Sequence, residues 1–269
     1  MIVIGEKINA SNKSVGQAIA DKNIEFLQNL AKAQAEAGAD YIDANAGVGQ
    51  DARDNATAIM EWLIDVVQQA TDKPLCIDSD DPTVVEAALG KYNGEKVMIN
   101  SVNAEPDRLD SIGRLAADRQ ASLVALVMKE GGIPQTVEER MDAAETIMNH
   151  LTRLGVKEEQ VYFDPLVLTI SVDQSQGLVT LNTIKAIKAR FPSAKTTMGL
   201  SNISYGLPNR GIINRSFMLM SMAVGLDSAI LDPLDAKMMT LAKVGDMLVG
   251  QDPGCKKYIK AHRKGLLIA

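Results

Sequence analysis

Carboxylate and carboxamide side chains recur along this 269-residue chain at the ends of short apolar runs. Nearly every such run finishes with an Asp, Asn or Glu, and the set comprises Glu6, Asn9, Asp43, Asn45, Asp78, Asn100, Asn103, Asp164, Asn202 and Asp232. A buried carboxylate is costly unless it is paired, so converging residues of this kind require a metal ion or a ligand rich in N–H donors. A carboxylate accepts two N–H bonds from an amidine-like edge, and a carboxamide both donates and accepts. The pattern favours a flat nitrogen heterocycle as the ligand.

Helix capping is the alternative explanation for any one of these residues, because Asp and Asn are favoured at helix N-termini. Capping is a weaker explanation for the whole set, which extends over most of the apolar runs. A pterin fits the set, because its 2-amino group, N3–H and ring acceptors match carboxylates that lie beside carboxamides.

Other catalytic chemistries have little support in the sequence. His150 and His262 are the only histidines, and neither follows an apolar run, which excludes a zinc site with His or Cys ligands and leaves an all-oxygen Mg²⁺ site open. Cys76 and Cys255 have no metal-type spacing and no histidine partner. Neither a G-x-S-x-G motif nor a glycine-rich phosphate loop occurs. We therefore predict a site without a metal.

The composition is that of an acidic globular protein. Hydrophobic residues make up 46%, aromatic residues make up 4%, and the formal net charge is −6. The low aromatic content and the negative net charge argue against nucleic acid and anionic membranes as partners. The one basic cluster, residues 256–264, is expected to be a solvated helix face or tail. No apolar run reaches the roughly 18 to 20 residues of a membrane span. Two distant cysteines and an N-terminus without a signal-peptide pattern predict a cytoplasmic location.

The apolar runs alternate with amphipathic stretches, which is the pattern of βαβ units and a parallel sheet. The eight predicted strands are residues 2–8, 41–46, 75–80, 97–102, 122–128, 161–167, 196–202 and 228–234. The predicted helices are about 23–37, 52–70, one after Pro82, one after Pro106, one from a capping box at Thr136, and 178–191, 213–224 and 236–248.

Eight such units in a chain of this length predict one α/β domain over residues 1–269, a (β/α)8 TIM barrel, with a doubly wound open sheet as the alternative. In a TIM barrel the carboxyl ends of the strands form the active-site face. The polar residues would therefore surround one mouth of the barrel.

Several motifs carry a resemblance to a known family. They are GEKIN (5–9), DANAG (43–47), CIDSD (76–80), MINSVNAE (98–105), YFDPLV (162–167) and MGLSNISYGLPNRGIINRSF (198–217). Together they resemble the pterin-binding methyltransferases: the methyltetrahydrofolate:corrinoid/iron–sulfur-protein methyltransferases, the folate-binding module of methionine synthase, and methylcorrinoid:tetrahydrofolate enzymes. The resemblance covers essentially the whole chain. The ordered set IDS, INS, DPL and GLSN is specific, although each fragment alone is weak.

The resemblance implies a pterin pocket. Asp78 and Asp164 would bind the pyrimidine edge of the pterin, with Asn100 beside them. The pocket would also be lined by Glu6, Gly199 and Ser201. Arg210 and Arg215 are candidates for holding the folate tail or the partner, with helix capping or a surface position as the alternative.

The resemblance also implies a catalytic residue. Asn202 would reach N5, the atom that carries the methyl group, and a carboxamide serves both directions of transfer because it donates to a developing lone pair or accepts from a protonated N5. Asn202 cannot supply a proton, so we expect a water network linked to Asp43 or Asn9.

The family places the cobalt on another protein, and this chain lacks the D-x-H-x-x-G corrinoid signature. The resemblance thus implies tetrahydrofolate or 5-methyltetrahydrofolate as substrate or product, and a corrinoid (cobalamin) carried by a protein that docks over the barrel mouth. Two alternatives stay open. One is dihydropteroate synthase, which holds pyrophosphate with basic residues at the ends of strands 7 and 8, where this chain has no cation. The other is a folate-binding subunit without its own chemistry.

Residues 216–225 predict self-association. They are apolar on all faces of a predicted helix, whereas an outer helix of a lone barrel should have a polar side. We predict a homodimer packed through this region, in which the family is similar. A core helix under a long loop is the alternative.

Overall fold

A parallel β-barrel forms the centre of the protein. The computed structural model describes residues 1–47 and 55–268. The strands are β1 (Ile2–Asn9), β2 (Tyr41–Asn45), β3 (Leu75–Asp78), β4 (Val97–Val102), β5 (Ser122–Leu126), β6 (Val161–Asp164), β7 (Lys195–Thr196) and β8 (Ser228–Leu231). They pair in the order β7-β6-β5-β4-β3-β2-β1-β8. Strands consecutive in the chain lie side by side, as successive βαβ units require.

The sheet closes between β8 and the segment that follows β7. Gly199 forms a parallel bridge with Ile230, and the Ile230 amide donates to the Met198 carbonyl at 2.9 Å. The Ser228 hydroxyl donates to the Thr196 carbonyl at 3.2 Å. This closure confirms the predicted TIM barrel and excludes the open doubly wound sheet.

Helices cover the outside of the barrel. The described residues form α1 (Lys13–Ala20), α2 (Ile24–Ala37), α3 (Ala56–Gln68), α4 (Pro82–Lys91), α5 (Pro106–Arg119), α6 (Val137–Arg153), α7 (Gln176–Arg190), α8 (Arg210–Ala223), α9 (Ala236–Leu248) and α10 (Lys256–Arg263). Sequence signals mark their ends. Thr136 and Glu139 form the predicted capping box at the start of α6, and Gly38 ends α2 in the left-handed region (φ 106°).

The predicted seventh strand, 196–202, is wrong over most of its length. β7 ends at Thr196, and Leu200–Ser204 form a 3-10 helix. The Asn202 amide bonds back to the Gly199 carbonyl at 3.4 Å instead of extending a strand ladder. A short apolar run buried against a barrel does not reveal by periodicity alone whether it is a strand or a helical turn. The other predicted strands agree with the structure to within three residues at either end.

Two helices were not predicted, α1 and α10. The basic cluster lies on and just after α10 with its charged side chains exposed, which confirms the expected solvated face. The predicted helix 52–70 is α3, and its predicted start lies outside the described residues. Within residues 1–47 and 55–268, no helix is both long enough and apolar enough to cross a bilayer.

The barrel has a small core of its own, separate from the larger core between strands and helices. It consists of Ile4, Cys76, Met98, Val124 and Tyr162, with Ile2, Tyr41, Leu126 and Ile230 packed against it. These residues mark which face of each strand points into the barrel.

Candidate active site

The polar residues at the strand ends form a layer above the barrel core. Side chains alternate along a strand, so residues two apart share a face. Six polar residues each follow, by two positions, a residue that belongs to the barrel core or packs against it. They are Glu6, Asp43, Asp78, Asn100, Asp164 and Asp232. The structure therefore brings the predicted residues of six strands to one mouth.

Asp78 is anchored by its neighbours on both sides. Asn45 Nδ2 donates to Asp78 Oδ2 at 2.8 Å from β2, and Asn100 lies directly opposite Asp78 in the β3–β4 register. Burial raises the pKa of Asp78, the charge of Asp80 adds to that rise, and the Asn45 hydrogen bond opposes it. The charge of Arg108 also opposes the rise, but Asp78 has no contact ion pair in the described chain, which suits an incoming N–H donor.

Asp43 lies deeper in the barrel and is 2% exposed. Its Oδ1 atom has no hydrogen-bond partner among the described residues. Burial raises the pKa of Asp43 well above its ordinary value, and the charge of Asp78 raises it further. The ionised form of the Asp43 carboxyl, beneath Asp78, is therefore disfavoured.

Asp164 ends β6 and is 8% exposed. The Leu166 amide donates to its Oδ1 at 2.8 Å. Burial raises the pKa of Asp164 to about 6, while hydrogen bonds from the backbone of Leu166 and Gly199 and the charge of Arg140 oppose the rise. At neutral pH the group is therefore an ionised carboxylate in a site that lacks a direct counter-ion, which favours a ligand with N–H donors.

Glu6 lies at the seam between β1 and β8. Burial raises the pKa of Glu6 to about 7, the charge of Asp232 raises it, and Lys7 and Arg210 lower it. Lys7 Nζ binds Asp232 Oδ2 at 2.9 Å across the same seam. Glu6 is thus a carboxyl that gains or loses a proton near neutral pH.

Asn202 is presented at the rim by a 3-10 turn. Its side chain is exposed, and a Cβ atom added at Gly199 would lie 3.4 Å from Asn202 Nδ2. The turn is fixed from behind, because Arg210 donates to the Ser201 carbonyl at 2.6 Å and to the Ser204 hydroxyl at 3.0 Å. The Asn202 carboxamide makes no hydrogen bond with the rest of the described chain, so it is free to contact a ligand over the mouth.

The remaining predicted residues have structural partners. Asn9 lies opposite Asn45 in register, and its Oδ1 accepts from the Ser11 amide at 2.9 Å, which caps the turn after β1. Arg215 makes a two-pronged ion pair with Asp235, its shortest contact being 2.7 Å. Arg215 is therefore not available for a folate tail or a partner in this arrangement.

A cleft of about 680 Å³ opens beside Asp78 at the mouth. Its lining is polar on the strand side and apolar on the helix side: Ser11, Asn45, Ala46, Gly47, Ala56, Met60, Asp78, Ser79, Asp80, Asp81, Pro82 and Val84. Its volume is in the range of small-molecule sites. In the part of the chain that the structure describes, no group of three or more His, Cys, Asp or Glu side chains is arranged to hold a metal ion.

The sequence did not predict the contacts of three residues that shape this site. Asn45 belongs to the strand-end set, and the pairing of neighbouring strands was the signal that could have placed it against Asp78. Lys7 and Asp232 are joined only by barrel closure, so no local signal predicts their ion pair.

Known proteins resemble this chain over most of its length. The sequence profile described as "Pterin binding enzyme" matches residues 5–232. The chain is 38% identical over 269 residues to the methylcorrinoid:tetrahydrofolate methyltransferase of Eubacterium limosum, covering 98% of this chain and 97% of that protein. It is 33% identical over 244 residues to methionine synthase of Mycobacterium tuberculosis, covering 86% of this chain and 20% of that protein.

Solved structures of the same fold are more distant in sequence. A dihydropteroate synthase from Xanthomonas albilineans in complex with 7,8-dihydropteroate superposes with a TM-score of 0.67 at 18% identity, covering 90% of this chain and 92% of that one. A dihydropteroate synthase from Coxiella burnetii in complex with pteroic acid has the same TM-score at 13% identity, covering 93% and 94%. These likenesses concern the fold. The profile match and the full-length relative establish that the chain belongs to the family of pterin-binding enzymes.

Proposed function

We propose that this protein is a methyltransferase that moves a methyl group between N5 of tetrahydrofolate and the cobalt of a corrinoid held by a separate protein. The observation that carries the proposal is the layer of carboxylates and carboxamides above the barrel core, in a chain with a full-length relative named as a methylcorrinoid:tetrahydrofolate methyltransferase. The proposal includes both directions of transfer. The docked partner's corrinoid supplies the cobalt that takes or gives the methyl group.

The pterin is held through its donors. Asp78 and Asp164 accept the N–H groups of the pyrimidine edge, and Asn100 pairs with the adjacent ring atoms. The raised pKa values of both carboxyl groups support this role, since each lacks a cation in direct contact and gains one or two strong donors when the ligand binds. Glu6, Gly199 and Ser201 line the remaining side.

Asn202 acts at the reacting atom. When the methyl group leaves N5, a lone pair develops there, and the Asn202 amide stabilises it by donating a hydrogen bond. In the opposite direction N5 must be unprotonated, and the same side chain holds the ring in position. Its exposed place on the rim supports this role.

The proton at N5 arrives through water. We assign its handling to Asp43, with Asn9 at the entrance, because Asp43 has an unpartnered oxygen and a pKa that burial raises well above its ordinary value. A carboxyl whose ionised form is disfavoured by burial can exchange a proton with water that reaches the ring.

The corrinoid protein docks over the barrel mouth, because Asn202 and the strand-end layer are reached from that side. We also assign the chain to the cytoplasm and treat residues 1–269 as one domain.

α8 supports a homodimer. Phe217, Met218 and Met222 face the core, yet Ile212 is 66% exposed and Met220 is 51% exposed. An outer helix with apolar side chains facing solvent suits a protein interface.

Calorimetric titration with tetrahydrofolate and with methyltetrahydrofolate tests the proposal. We expect dissociation constants in the micromolar range, on the order of −8 kcal/mol, for both ligands. Asp164→Asn should weaken binding about tenfold, because a charge-assisted acceptor becomes neutral. An exposed carboxylate far from the mouth, Glu145, provides the matched control as Glu145→Gln. Failure of the wild-type protein to bind either ligand would end the proposal.

A further inference from the structure

We propose that Arg140 is a positioning residue for Asp164: it fixes the turn that orients the carboxylate and supplies the positive charge that Asp164 faces across that turn. The inference rests on the proposed function in so far as Asp164 binds the pterin. The contacts themselves are independent of that function.

Arg140 projects from α6 into the space behind β6 and is 0% exposed. Nη1 donates to the Pro165 carbonyl at 2.8 Å and to the Leu166 carbonyl at 3.0 Å. These two peptide groups immediately follow Asp164. The guanidinium therefore binds the backbone of the turn directly.

The remaining donors of Arg140 are also satisfied by neutral groups. Nε donates to the Pro134 carbonyl at 3.3 Å, Nη2 to Gln176 Oε1 at 2.8 Å, and Nη1 lies 3.4 Å from Thr180 Oγ1. No carboxylate of the described residues lies within 4.0 Å of the guanidinium, so this buried cation has no contact ion pair. A buried charge of this kind requires compensation from nearby charge or dipoles.

Asp164 is the compensating charge in the site. Burial lowers the pKa of Arg140, and the carboxylates of Asp164 and Glu139 oppose that change. In return, Arg140 is the charged side chain that lowers the pKa of Asp164. Glu139 is engaged in the capping box at the exposed end of α6. Asp173, in the loop before α7, is linked to the guanidinium only through Gln176. The attraction between Arg140 and Asp164 therefore acts across the turn.

The turn needs such a restraint because of its backbone. Leu166 has φ 64°, a left-handed conformation that is unfavourable for a residue with a branched side chain. In this conformation its amide donates to Asp164 Oδ1 while its carbonyl accepts from Arg140 and from Thr180 Oγ1. The same residue thus links the guanidinium to the carboxylate, and loss of Arg140 would release both.

The ligand-free protein gives the first test. We would measure urea unfolding of wild type, Arg140→Met, Asp164→Asn and the double variant at pH 8 and pH 5. We expect the two changes to be coupled about tenfold in the unfolding equilibrium at pH 8, where Asp164 is ionised, and uncoupled at pH 5. Additivity at both pH values would overturn the proposal whether or not the protein binds folate.

Tetrahydrofolate binding gives the second test. We expect the midpoint of the pH dependence of binding to move upward by at least half a unit in Arg140→Met, with about tenfold weaker binding at pH 7. Arg140→Lys keeps the charge and should restore the midpoint. Arg140→Gln, which removes the charge but keeps polar donors, replaces Arg140→Met in both tests if that variant does not fold. Ile147→Val, a buried change on the same helix, should lower stability without moving the midpoint. Equal midpoints in all variants would show that Arg140 is only structural.

Discussion

Asn45 Nδ2 and Asp78 Oδ2 are 2.8 Å apart across the β2–β3 pair, so one carboxamide orients the carboxylate that faces the barrel mouth. Because Asn45 Oδ1 accepts from the Gly47 amide at 2.8 Å, the Asn45 side chain is itself held in one orientation. Both polar atoms of the Asn45 side chain are therefore engaged, and this arrangement leads to a specific prediction.

Asn45→Ala should weaken tetrahydrofolate binding about tenfold at pH 7. Loss of the hydrogen bond leaves a half-buried carboxylate without its donor and lets the pKa of Asp78 rise further. Calorimetric titration measures the effect. Asn12→Ala, which removes the N-cap of α1, is the control and should cost about 1 kcal/mol of stability with no change in affinity.

Asn202→Ala should lower the rate of methyl transfer about 10² to 10³-fold, while folate binding changes only a few-fold. The side chain is exposed on a 3-10 turn and makes no contact on which the described fold depends. Single-turnover kinetics with the methylated partner protein measures the rate. Unchanged turnover would remove Asn202 from the mechanism.

Asp164→Asn should stabilise the ligand-free protein at pH 8, on the order of 2 kcal/mol, even though it weakens binding. The pKa of Asp164 in the folded protein is about 6, above its ordinary value, so the ionised form opposes folding above that pH. At pH 5 the group is protonated in the folded protein but still ionised in the unfolded chain, so the difference should fall to about half of its value at pH 8. Urea unfolding at the two pH values decides; destabilisation at pH 8 would contradict the assigned electrostatics.

Glu6→Gln should flatten the pH dependence of stability between pH 5 and pH 8. The pKa of Glu6 is about 7 in the folded protein against an ordinary value of 4.5, so the folded state binds a proton that the unfolded state has released. Its contribution to stability therefore falls as the pH rises and is lost above pH 7. Asp43, Asp78 and Asp164 act with the same sign, so we expect a smaller slope rather than none.

Met220→Glu should convert the protein from a dimer to a monomer in sedimentation velocity. Met220 lies on α8 and is exposed in the isolated chain, so a charge there is tolerated by the fold but not by an apolar interface. Leu248→Glu, at an exposed apolar position at the end of α9, should leave the dimer intact. A monomeric wild-type protein would dispose of the dimer altogether.

The sequence predicts the barrel and its polar mouth well because both depend on local, repeating patterns. Apolar runs ending in Asp78, Asn100 and Asp164 are visible one strand at a time, and parallel topology then brings them together. The roles of Arg140 and Lys7 could not be predicted, because their partners are distant in the chain. The carbonyl groups that Arg140 binds are 25 and 26 residues away, and the carboxylate that Lys7 binds is 225 residues away. The same holds for residues 196–202, where the barrel's closure imposes a turn on an apolar run.

The two sides of the barrel mouth differ in how continuous their strand pairing is. Asp78 and Asn100 belong to strands joined by continuous ladders, whereas Asn202 follows a strand of two residues and a single described bridge to β8. Amide hydrogens around residues 195–204 should accordingly exchange sooner than those of β3 and β4. If Asn202 acts at N5 as proposed, its segment can follow that atom through the reaction while the strands that carry Asp78 and Asn100 keep the pterin in place.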